Sequence, residues 1–336
     1  MKIRAIVPDT IRATFERLPE SVRKDLTRKR AEFRGIGQLK INQALLAQRL
    51  AQLEQLQTPL ARNSVDIADP SFPPNVRSRL CTQAQLYEPW FNSWCDVFGE
   101  PPLFHRKSWE FAYVAEVLDS LGQLEPGRRA LGFGVGREPL VSAFASRDVQ
   151  VVATDLDPEA KEAMGWVRSD QHSFGIESML RSEVCDPAKF RELVSWRGVD
   201  MRAIPKDLTQ FDFCWSVCAL EHLGSLANGM EFIESSISTL APGGIAVHTT
   251  EYNMNSNDET VESGPTVIYR QRDLMELKDR LEASGHQVAA FDLSPGEGLL
   301  DQYVDIPPYA DEPCLRFLYS SYTLTSVAIV VRARPS

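Results

Sequence analysis

From Arg128 onward the chain alternates between short apolar runs and segments whose apolar residues recur every three or four positions. "RRALGF" reads as a buried strand, and "EPLVSAFAS" as a helix with Pro139 in its first turn, where proline is tolerated. "VQVVATD" reads as a strand, "DPEAKEAMGW" as a helix and "FDFCWS" as a strand. "ANGMEFIESSISTL" follows as a helix stopped by "APGG", then "IAVHTT" as a strand. "QRDLMELKDRLEASG" predicts a helix, "HQVAAFDL" a strand, and "TSVAIVVRAR" the last strand. This alternation predicts an α/β fold, a doubly wound and mostly parallel sheet with ligands at the carboxyl ends of its strands.

The first part of the chain has a different pattern. Residues 1–103 form a mainly helical extension, and residues 104–336 the α/β domain. From Pro19 to Leu60 the spacing is helical, with Leu39, Leu46, Leu50, Leu53 and Leu60 recurring at close to three and four residues. Two readings stand for that helix, self-association or packing on its own domain. Pro59 to Pro102 is broken by proline and rich in aromatics, as in a segment that wraps a domain surface. "HRKSWEFAYVAEVLDSL" then reads as an amphipathic helix with Trp109, Tyr113, Val117 and Leu121 near one face.

Charge and cysteine use narrow the function classes. The chain of 336 residues carries a net charge of -10, which disfavours nucleic acid as a general partner. The charge is uneven: the first forty residues hold eleven Lys/Arg against five Asp/Glu, +6, leaving -16 for the rest. Six scattered cysteines without a C-x-x-C pair argue against a zinc site and a disulfide framework, and no metal is expected. No stretch reads as a signal peptide or a membrane span, so a cytoplasmic protein is expected.

The candidate chemistry starts at "ALGFGVGREPL". Gly132, Gly134 and Gly136 sit where a strand must turn into a helix while its backbone approaches a ligand. Asp155 ends the next strand in "VVATDLD", about 20 residues on, where a carboxylate can accept from both ribose hydroxyls of an adenosine. A dinucleotide site wants G-x-G-x-x-G; here Arg137 takes the place of the third glycine, which favours a ligand with an amino-acid moiety.

With "GVDMRAIP", "FDFCWSVCALEHLGS" and "LAPGGIAVHTTE" following in order, residues Phe104 to Ala333 resemble the class I S-adenosylmethionine-dependent methyltransferases. The likeness is looser to bacterial members linked to surface polysaccharides. It implies a seven-stranded sheet and S-adenosyl-L-methionine as cofactor. It further implies that Gly132, Gly134 and Gly136 line the methionine part, that Asp155 binds the ribose and that Leu156 packs on adenine. Asp200 would accept from the adenine amino group with the Met201 backbone beside it, Asp186 being a rival, and Ser216 and Val217 would flank the sulfonium. The family usually has an acid two positions before the first glycine; here it is Ala130, so that charge must come from elsewhere.

An alcohol acceptor needs somewhere for its proton to go. His248 is the first candidate base, since a histidine ending an apolar strand must satisfy two ring nitrogens; a core histidine is the other reading. His222 is the second, and Glu251 a residue that orients a histidine or binds an acceptor hydroxyl. His248, Glu251 and Glu221 are also a weak divalent-ion set. Arg106 or Lys107 is a candidate partner for the methionine carboxylate. "NMNSNDETVESG" has the composition of a flexible lid, and "DQYVDIPPYADEP" that of a wall for a hydroxyl-rich acceptor. The expectation is methyl transfer to a polar small molecule or glycan, at oxygen. The alternative is an inactive binding or scaffold protein that keeps the fold.

Overall fold

The computed structural model describes residues 37, 39–40, 42–51, 53, 71–157 and 175–335. Leu60, the helix expected in "DPEAKEAMGW" beyond Asp157, and most of the basic leader lie outside them.

Seven of the nine strands of the main sheet make its body: β1 Arg129–Phe133, β2 Gln150–Asp155, β3 Val194–Gly198, β4 Phe211–Val217, β5 Leu240–Asn253, β6 Arg316–Tyr319 and β7 Tyr322–Arg332. Two-residue strands, Gln287–Val288 on β7 and Val304–Asp305 on β6, lie beyond the seven that the resemblance implies. The order of the seven is β3-β2-β1-β4-β5-β7-β6, parallel except for β7, which runs antiparallel to both neighbours. That order and that single reversal give the class I methyltransferase sheet, as the resemblance implies.

The sixth strand is not where the apolar pattern put it. Only Gln287–Val288 of "HQVAAFDL" pairs with β7, while Phe291–Asp292 leaves to pair with Ser78–Arg79. The Ala289 N–H still donates to Val330 O at 2.9 Å, but the Ala290 carbonyl already accepts from Ser78 N. The edge of β7 is thus shared between this fragment and β6, a four-residue strand that the pattern did not announce.

Alternation along the strands sends side chains to two layers. One core holds Ala130, Phe213, Trp215 and Val247 against helices α1 (Pro89–Phe98), α2 (Arg106–Ser120) and α3 (Leu140–Ser146). The other holds Leu131, Phe133, Cys214 and Ala246 under α5 (Leu226–Ile237) and α6 (Gln271–Ala283), α4 being Pro187–Leu193. The first core also takes in Phe72, Phe91, Trp94 and Phe98, and Trp109 Nε1 donates to Gln85 Oε1 at 2.8 Å. The described residues before Phe104 therefore share the core of the α/β domain rather than forming one of their own.

The described part of the N-terminal helix, within residues 37–53, lies on the same body. Ala44, Ala47 and Ala51 are buried, Tyr87 Oη donates to Ala51 O at 2.7 Å, and Lys40 Nζ meets Asp305 Oδ1 at 2.8 Å. All six cysteines are unpaired and buried. No described helix is long and apolar enough to cross a membrane.

Candidate functional site

The carboxyl ends of β1, β2, β4 and β5 come together where this fold carries its ligands. The three glycines of the first turn prove unequal. A Cβ on Gly132 would come within 2.5 Å of both the Trp215 ring and the Val135 side chain. The missing side chain there makes room for an indole from β4. Gly134 and Gly136 have φ of +60° and +50°, the left-handed region that favours glycine. A Cβ on Gly134 would lie 2.9 Å from Ala219 Cβ and 3.4 Å from Met201 Sδ, so the turn is closed by the loops after β4 and β3.

Asp155 is buried at the end of β2, its Oδ1 accepting the Leu156 N–H at 2.7 Å. The rival acid Asp186 is the N-cap of α4, accepting from Ala188 N and Lys189 N at 3.0 Å each. Asp200 follows β3, but Arg202 engages both its oxygens, Nη2 meeting Oδ2 at 2.7 Å, and holds that carboxyl below its ordinary range. Its expected part at an adenine amino group would compete with that guanidinium.

The acid absent at Ala130 has a counterpart across the turn. Glu138 is buried immediately behind the glycines, and the Trp215 indole N–H donates to its carboxyl. Burial pushes that carboxyl up to about 8, with Asp155 adding to the rise and Trp215 and Lys107 opposing it.

A second cluster lies between α2 and the ends of β4, β5 and β7. Glu110, buried on α2, receives Arg106 Nη1 at 3.1 Å, Lys107 Nζ at 3.3 Å and Thr249 Oγ1 at 3.1 Å, together with Ser326 Oγ. Burial alone would raise this carboxyl, but Lys107 and Arg106 hold it at about 2. Arg106 Nη1 also reaches Glu251 Oε1 at 2.9 Å and stacks 4.4 Å from the Phe317 ring centre. Glu251 differs from Glu110. Burial pushes it up to about 7 against the pull of Arg106, and its Oε2 has no hydrogen-bond partner among the described residues.

Cys218 closes the cluster. It is a non-glycine residue at φ +42°, its amide donating to Thr249 O and Oγ1 and its thiol 3.7 Å from Glu251 Oε1. Cys218, Glu221 and Glu251 bring three ligand-type atoms within 4.8 Å of one another, yet Arg106 and Lys107 already supply cations there. Because Ala219 touches the glycine turn, this cluster adjoins the cradle formed by Gly134 and Gly136.

The histidines divide. His248 points into the opposite layer, with Nδ1 2.8 Å from Ser216 Oγ, Nε2 3.0 Å from Ser236 Oγ, and Phe232 edge-on against its ring. Both nitrogens are occupied and burial holds the ring down to about 3, so it is the core histidine of the second reading and not the base. The Ser216 side chain is spent on the same bond. His222 contacts Pro265 O through Nδ1 at 2.8 Å, which fixes the proton on that nitrogen because a carbonyl only accepts. Its Nε2 lies 3.8 Å from Glu221 Oε1.

The two loops expected to face an acceptor are stapled inward. Asp301 lies 3.5 Å from the buried Arg316, Asp305 is fully buried against Lys40, and Tyr309 Oη donates to Leu318 O. The expected lid is pinned by Asn253, which bonds Glu259 O and the amides of Asn255 and Ser256, and by Arg270 on Asp258 O. Glu110, Glu138 and Cys218 were not anticipated. Two signals could have found the acids: an Arg106–Glu110 spacing of four on a helix, and Glu138 directly behind the glycines.

No protein-family model and no curated protein matches the chain by sequence. Solved structures do match in fold. The [4+2]-cyclase SpnF aligns at 14% identity over 77% of this chain and 100% of its own, with a TM-score of 0.45. Magnesium protoporphyrin IX methyltransferase (ChlM) from Synechocystis PCC 6803, with bound SAH, aligns at 10% identity over 72% and 94%, TM-score 0.41. The glycopeptide N-methyltransferase MtfA aligns at 14% over 69% and 97%, TM-score 0.39. The strand order itself carries the fold.

Proposed function

We propose that this chain binds S-adenosyl-L-methionine and methylates an oxygen of a polar, hydroxyl-bearing acceptor, a small molecule or glycan, with Glu251 taking up the acceptor's proton. The residues present fit that cofactor: the turn at Gly134 and Gly136 is a conformation glycine favours, in a cradle that a Cβ would fill, and a buried carboxylate stands at the end of β2. When bound, the cofactor supplies a methyl group already activated on a sulfonium. Asp155 would accept from the ribose hydroxyls, and Leu156 and Met201 would flank the adenine. Gly134 and Gly136 would leave bare backbone to the amino-acid tail, whose ammonium Glu138 would meet in place of the family's usual acid. The backbone of Ser216 and Val217 borders the reacting centre. Asp200 keeps no part while Arg202 holds it.

The observation that carries the assignment is the Glu251 carboxyl: buried, pushed to about 7, with one oxygen unpartnered beside the loop that closes the glycine turn. A base near 7 is matched to proton uptake at neutral pH, and Arg106 fixes its orientation through the other oxygen. His222 flanks the cluster as the runner-up base.

The test is transfer of labelled methyl from the cofactor to fractionated extract, followed by the pH profile on whichever acceptor becomes labelled. The deprotonated Glu251 is the active form, so the rate should rise with pH through about 7. Glu251→Gln should cut kcat by about 10²–10⁴ and abolish that limb, while cofactor binding stays. Equal rates in wild type and variant would remove Glu251 from the mechanism. Cofactor binding with no transfer by the wild type would favour the scaffold reading, whose main ground, the missing acid at Ala130, is weakened by Glu138.

A further inference from the structure

We propose that the N-terminal helix pairs with the same helix of a second copy of this chain, through its leucine face. The helix has two unlike sides. Lys40, Ala44, Ala47, Gln48 and Ala51 recur at helical spacing and meet the body, with Lys40 on Asp305 and Gln48 Nε2 on Glu312 Oε1 at 2.7 Å. Roughly 130° around the helix, at 100° per residue, Leu39, Leu46, Leu50 and Leu53 form a stripe that stays 42–69% exposed.

Two features single out a second copy as the occupant. Leu39, Leu46 and Leu53 are seven apart, the spacing at which two helices keep one seam in contact. With these leucines at d, Gln43 and Leu50 fall at a, so the seam carries one polar position of the kind that fixes register in a pair of like helices. A membrane surface would call for several Lys or Arg beside the stripe, whereas its flanks are mostly glutamine and asparagine and Lys40 is turned inward to Asp305. A seam this short is weak in an isolated peptide. Here the helix is already held on its domain, so less ordering is lost on pairing.

The experiment is sedimentation of the full chain across the micromolar range, with three variants. The wild type should run at twice its 37.7 kDa mass. Leu46→Glu with Leu50→Glu should run as a monomer with an unchanged melting temperature, since both positions are exposed and outside the cores. Leu45→Glu, exposed but off the seam, should stay dimeric. Gln43→Cys should cross-link to a dimer under mild oxidation, the native cysteines being buried. A monomeric wild type at high micromolar concentration, or a dimer that survives the double change, would overturn the proposal. So would loss of the dimer in the Leu45 variant, or an absence of cross-linking at Gln43.

Discussion

At the scale of single residues, the proposed chemistry falls on two buried carboxyls, Glu251 and Glu138, and each makes a separable prediction. Glu138 holds its proton up to about 8, so at pH 7 it is mainly neutral. A ligand ammonium arriving there would pull that value down and expel the proton. Calorimetric titration with S-adenosyl-L-methionine in buffers of different ionisation heat should show about one proton released. Glu138→Gln should abolish that dependence while weakening binding. Gly132 is the contrasting case, a residue in the sequence motif with a packing role. Gly132→Ala should push against Trp215 and Val135 and lower stability by about 1–3 kcal/mol in urea unfolding. A neutral change would mean that the indole shifts freely.

The legibility of the site follows from distance along the chain. Gly134, Gly136 and Asp155 could be named because a glycine turn and a strand-ending acid are local signals. The α2 cluster could not, since Glu110 meets Thr249 and Ser326 across 139 and 216 residues. His248 was misplaced because its neighbours are serines on β4 and α5, which no period along β5 reveals.

At the scale of elements, long interrupted apolar runs misled where short edges decide. The run "HQVAAFDL" has strand composition, yet its backbone divides between β7 and Ser78–Arg79, and β6 takes the other half of the edge. β1, β2, β4 and β5, all central, were legible because burial on both faces makes a strand apolar throughout. The N-terminal helix was legible as a helix, but which of its faces packs on the domain shows only in the burial of Ala44, Ala47 and Ala51. Its anchor is testable. Asp305 is fully buried, and Asp305→Asn removes the charge that Lys40 pairs with. Limited proteolysis should then cut within residues 37–53 sooner than in the wild type, with the rest of the chain intact. Equal cutting rates would show that the alanine contacts alone hold the helix.

At the scale of the whole molecule, the sheet divides labour between its layers. The layer of α5 and α6 keeps His248 as packing, while that of α1 to α3 sets the polar cluster against the glycine turn. The glycine turn and Glu251 are thereby linked through Ala219 and Cys218, as the proposed pairing of cofactor cradle and proton acceptor requires. The central claim is that adenosine is gripped there by Asp155. Its most direct test is calorimetric titration of wild type and Asp155→Ala with S-adenosyl-L-methionine. The wild type should bind one equivalent per chain, and the variant should bind about 10–100-fold more weakly, the loss expected for hydrogen bonds to a charged group. No binding by the wild type, or equal affinity in the variant, would contradict the account.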